Sequence, residues 1–140
     1  MFYLYAFIAG FISTLVFHQG VLALMHAGNP SVPAAFNMAS TAPLGIPAVI
    51  SLAFWGGLWG ILLWFLIRDS SGALYWIKAI AIGAVAPSLV AWFVAMPLKG
   101  MGIAGGWDPK IIIGALILNA AWGLGVALLM LLPGKLSAAS

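Results

Sequence analysis

Leu44–Ile67 reads LGIPAVISLAFWGGLWGILLWFLI and carries no charge. Arg68-Asp69-Ser70-Ser71-Gly72 breaks it, and a second apolar run, Ala73–Pro97, follows with Lys78 as its one charged residue. An α-helix rises about 1.5 Å per residue, so about 20 apolar residues cross the hydrocarbon core of a bilayer. Each run is long enough, and Gly, Ser and Asp between them form a helical hairpin turn. Working outward, two more runs satisfy the same criterion: Phe2–Met25, closed by His26-Ala27-Gly28-Asn29-Pro30, and Lys110–Leu132, closed by Pro133-Gly134-Lys135. Lys99-Gly100 and Gly105-Gly106-Trp107-Asp108-Pro109 separate the third run from the fourth. These breaks predict an all-α polytopic membrane protein, a bundle of four transmembrane helices over 2–25, 44–67, 73–97 and 110–132 in a single domain, 1–140.

Composition supports lipid as the solvent. The chain is 65% hydrophobic and 5% charged, with a mean hydropathy of +1.20, against about 25% charged residues in soluble domains. Its five Lys and Arg are scattered, so no basic groove for nucleic acid forms. There is no cysteine, which removes disulfides, thiolate metal sites and Cys nucleophiles. Phe2–Met25 has no basic residue before it and exceeds the 7–15 residues typical of a secretory h-region, so a retained helix is expected.

An even number of spans puts both termini on one side. Tyr3, Tyr5, Trp64, Tyr75 and Trp76 fall on that side as an aromatic belt, with Arg68, Lys78 and Lys135; Lys99 and Lys110 fall on the other. The positive-inside rule then places both termini in the cytoplasm, by a margin slim enough to admit dual topology. The connection between helices 1 and 2, His26 to Pro43, becomes a long outer loop whose Phe36 and Met38 suggest packing over the helices.

Without a hydrophobic force between helices in lipid, small residues set close crossings. Gly56, Gly57 and Gly60 in span two, Gly83 in span three and Gly123 in span four are the packing candidates, with Gly10, Ser13 and Gly20 along one stripe of span one. These faces serve the bundle itself, a second copy, or another subunit. Trp55-Gly56 and Trp122-Gly123 hold similar places in spans two and four, as either a duplicated hairpin or shared Gly/Trp usage would produce.

Counted from the outer end of each span, His18, Ser51, Ser88 and Asn119 fall at similar depth, roughly 10–15 Å down. Pro87 lies beside them as a helix kink; it lacks an N–H and frees the carbonyl of Gly83. One reading is a clamp in which Asn119 donates to that carbonyl; the other is a small polar pocket open to the outside. Asp69 and Asp108 lie on opposite sides and cannot form an acid/base pair. Asp108 is expected to cap span four, with Pro109 at its first position. His18 and His26 have no Cys, Asp or Glu at ligand spacing, so neither a metal nor a cofactor is expected.

Phe17-His18-Gln19-Gly20, Pro43-Leu44-Gly45-Ile46-Pro47 leading into Ala53-Phe54-Trp55-Gly56-Gly57, Ala86-Pro87-Ser88-Leu89 and Gly105-Gly106-Trp107-Asp108-Pro109 together resemble a widespread family of small four-helix bacterial inner-membrane proteins. The resemblance implies a bacterial inner membrane and four helices; it implies no activity and supplies no site residues. The expected function is a non-enzymatic accessory or scaffold subunit of a larger membrane assembly, partnered by lipid and by other membrane subunits or a second copy. The alternative is a small homodimeric channel or transporter for a neutral or anionic solute that uses the polar layer.

Overall fold

The computed structural model describes residues 2–42 and 44–132. Four helices in it are long and apolar enough to cross a membrane: α1 (Phe2–Gly28), α2 (Ala48–Ile67), α3 (Gly72–Leu98) and α4 (Pro109–Leu129). Between α1 and α2 a two-residue antiparallel pair forms, β1 (Ser40–Thr41) with β2 (Ile46–Pro47), in which Ser40 faces Pro47 and Thr41 faces Ile46.

The helix bounds differ from expectation at the ends. α1 runs past Met25 to Gly28, so His26 is helical rather than part of the loop. α2 begins at Ala48, four residues after Leu44, because Ile46 and Pro47 are spent on the strand pair and Pro47, with ψ 138°, stands at the cap position. α3 starts one residue early and ends one late. α4 starts at Pro109 and stops at Leu129; the expected terminator Pro133-Gly134-Lys135 lies outside the described residues. Asp108 caps α4 as its sequence suggests, its Oδ1 accepting from the Lys110 N–H at 2.9 Å.

Two of the helices contain a wide turn. In α1 it covers Thr14–His18, and in α3 it covers Ala91–Ala95. A hydroxyl stands at the start of the first and three residues before the second: Thr14 Oγ1 donates to the Gly10 carbonyl at 2.9 Å, and Ser88 Oγ donates to the Ala84 carbonyl. Such back-bonding competes with the backbone N–H for the same oxygen and loosens the ladder. Downstream, Gln19 N–H reaches the Thr14 carbonyl and Met96 N–H reaches that of Ala91, each five residues back. In α3, Pro87 adds to the effect because it has no N–H to offer Gly83.

α1 packs along α2, α3 packs along α4, and α1 joins the two pairs through α4; the consecutive helices α2 and α3 touch only lightly. Glycine sets both tight crossings. A Cβ on Gly10 would overlap the Gly56 carbonyl and come within 3.0 Å of Gly60 Cα. A Cβ on Gly83 would stand 2.8 Å from Gly123 Cα. The two crossings share a pattern, because Gly60 abuts the Ala6 carbonyl and Gly10, while Gly123 abuts the Ala79 carbonyl and Gly83. Ala6-x-x-x-Gly10 thus corresponds to Ala79-x-x-x-Gly83, and Trp59-Gly60 to Trp122-Gly123. The similarity first drawn from Trp55-Gly56 is therefore displaced by one helical turn. Gly57 receives the Phe7 ring, whereas Gly20 has nothing within 4 Å and takes no part in the α1 stripe.

The buried apolar cluster (Ala6, Ala9, Leu63, Ile67, Tyr75, Ala79, Trp122, Val126, Ala127, Met130) occupies the half of the bundle nearer the α2–α3 turn. At that end Phe2 stacks on Trp64 at 6.3 Å and Arg68 donates to the Tyr3 hydroxyl at 2.9 Å. Large apolar side chains face outward on every helix, among them Val16, Trp55, Phe65, Ile77, Val94, Ile113 and Leu128. That is the arrangement a hydrocarbon solvent permits and water penalises.

Candidate functional site

Of the residues predicted to share one polar layer, Asn119 and Ser88 meet. Asn119 Nδ2 donates to Ser88 Oγ at 2.9 Å, and Ser88, fully buried, donates its own hydroxyl hydrogen bond to the Ala84 carbonyl. The carbonyl freed by Pro87 belongs to Gly83, and Asn119 makes no hydrogen bond to it among the described residues; its amide goes to the Ser88 hydroxyl one residue after the proline. The hydroxyl suits the amide because it accepts from Asn119 while donating to Ala84.

His18 belongs to a separate centre. It lies eight residues beyond Gly10, about 12 Å along α1, whereas Asn119 lies four before Gly123, about 6 Å along α4. Counting from the helix ends does not separate them, since His18 lies ten residues in from Gly28 and Asn119 ten in from Pro109; the ends themselves do not share one level. Its Nδ1 is 3.0 Å from Gln19 Nε2. Gln19, 4% exposed, also accepts the backbone N–H of Phe36 at 2.7 Å through Oε1. Ser51, half-buried on α2, joins neither centre.

The strongest polar link between the two helix pairs involves residues outside the predicted layer. Ser13 Oγ donates to the Trp122 carbonyl at 2.7 Å, and Trp122 Nε1 returns a bond to the Gly10 carbonyl at 3.2 Å. Tyr75 OH donates to the Ala127 carbonyl at 2.7 Å, tying α3 to α4 near the turn end. Ser13 was visible in the sequence as part of a small-residue stripe. Its acceptor was not, since a main-chain carbonyl leaves no mark on composition; Gln19 carried the same signal as Asn119, an amide within an apolar span, but its partner at residue 36 appears only in the fold.

Among the described residues no three His, Cys, Asp or Glu side chains gather in a way that would hold a metal. A shallow apolar groove lies between α2 and α3, lined by Trp59, Leu63, Ile82, Gly83 and Pro87 with Trp122 at its floor. It contains no polar side chain suited to acid, base or nucleophilic chemistry. The Trp92 indole N–H is buried without a partner among the described residues.

No protein-family model, curated protein or solved structure matches this chain.

Proposed function

We propose that the protein is a non-enzymatic accessory or scaffold subunit of a larger assembly in a bacterial inner membrane, with both termini cytoplasmic. The observation that carries this reading is how the interior polar groups are used. Ser13, Trp122, Tyr75, Ser88 and Asn119 spend their hydrogen bonds on neighbouring helices or on their own. Such bonds average about 0.6 kcal/mol each in membrane bundles and fix register. What remains for the surroundings is apolar helix surface, which suits lipid and other membrane helices. The resemblance drawn from the four sequence stretches supports the bacterial inner membrane, and the slim Lys and Arg bias read from the sequence supports the orientation.

The test is purification in mild detergent with identification of whatever co-purifies. A stoichiometric membrane partner supports the scaffold reading. A homogeneous homodimer that passes a neutral or anionic solute across vesicles would replace it with the channel or transporter reading.

A further inference from the structure

The connection after α1 is folded back along the helix it leaves, and two α1 side chains hold it. His26 Nδ1 is 2.6 Å from the Val32 carbonyl, which can only accept, so Nδ1 carries the proton. Nine residues' worth of helix below Gly28, Gln19 Oε1 takes the Phe36 N–H at 2.7 Å. A backbone N–H can only donate, and this fixes which end of the Gln19 amide is oxygen. Gln19 Nε2 therefore donates to His18 Nδ1, which must be unprotonated, leaving the proton of the neutral ring on Nε2. The chain Phe36–Gln19–His18 thus has one direction throughout.

Phe36 holds this position at φ 58°, a left-handed conformation costly for a residue with a Cβ. Its ring is about half exposed, so side-chain burial does little to hold it there. The bond to Gln19 offsets the strain. Between the local turn bond from Val32 N–H to the Asn29 carbonyl and the bonds that tie Asn37 and Ala39 to the start of α2, this strained and mostly exposed segment is held by the two side-chain bonds.

We infer that Val32–Phe36 is a strap, latched by Gln19 and His26, that closes the His18–Gln19 pair with the protein's own backbone. Opening the strap releases the Gln19 carboxamide oxygen from the Phe36 N–H. Any group that takes the place of Phe36 must bring a hydrogen-bond donor to Gln19 Oε1.

The cysteine-free sequence makes the test direct. A single Val32→Cys, at a half-buried strap position, is labelled with a water-soluble maleimide in the purified full-length protein, alongside a separate Val126→Cys control in the buried core. Gln19→Ala should raise the labelling rate at position 32 about tenfold, the factor that corresponds to ~1.4 kcal/mol for a lost buried hydrogen bond. His26→Ala should raise it as well, and position 126 should stay protected in both. Unchanged labelling at 32 in the Gln19→Ala protein would overturn the strap. So would parallel acceleration at 32 and 126, which would make Gln19 part of the framework rather than a latch.

Discussion

Gly123→Ala adds one carbon at the crossing of α3 and α4. That carbon would overlap the Ala79 carbonyl oxygen and stand 3.1 Å from Gly83 Cα. Carbon atoms rest at about 3.5–4.0 Å, and both obstacles are backbone, so no side-chain rotation relieves them. The helices must separate by roughly 1 Å, and a gap of that size forfeits a quarter to a half of each dispersion contact along the seam. Overpacking of this kind costs about 1–3 kcal/mol, even after the better helix propensity of alanine. Gly114→Ala in the same helix is the internal reference. Nothing lies within 4 Å of its added carbon, so only the gain of about 0.4–1 kcal/mol from replacing glycine remains. The two substitutions should therefore differ by about 1.4–4 kcal/mol and in opposite directions. Reversible unfolding in mixed micelles with increasing SDS fraction, followed by tryptophan fluorescence, measures both. Equal stability of the two variants would refute the claim that backbone contact at Gly123 sets this crossing.

A double-mutant cycle between Asn119→Leu and Ser88→Ala should show a coupling of about 0.6 kcal/mol, and no more than about 1.7, in the same unfolding assay. The corresponding cycle between Asn119→Leu and Pro87→Ala should show a much smaller value, because Asn119 bonds the hydroxyl and not the carbonyl of Gly83; a larger coupling to Pro87 would reverse that assignment. Reporter insertions within Gly72–Leu74 should report the cytoplasm and insertions near Ser31 the outside. Mixed signals at one site would mean dual topology, and a uniform reversal would overturn the orientation drawn from the charge bias.

The existence, number and approximate extent of the four helices were legible in the sequence because apolar runs of this length, cut by Gly, Pro, Asp and Ser, have one economical solution in lipid. The cap at Asp108 was legible for a local reason too: Asp followed by Pro suits the start of a helix whatever surrounds it. Glycine positions marked where backbones approach, since only a missing side chain permits the contact. Which helices meet there came from the tertiary structure alone. Periodicity places Gly10, Gly60, Gly83 and Gly123 on helix faces, but it carries no register between helices, so the match of Trp59-Gly60 with Trp122-Gly123 appeared only once the crossings were in place. The polar centres divide the same way. Residue type marked His18, Ser88 and Asn119 as groups needing partners. Counting along separate helices made them one layer, because it assumed that the helix ends share one level and could not register the wide turns. The partners of Ser13 and Gln19 are main-chain atoms more than a dozen residues away, and a backbone carbonyl or N–H is the same at every position of a sequence until folding brings one of them within 3 Å.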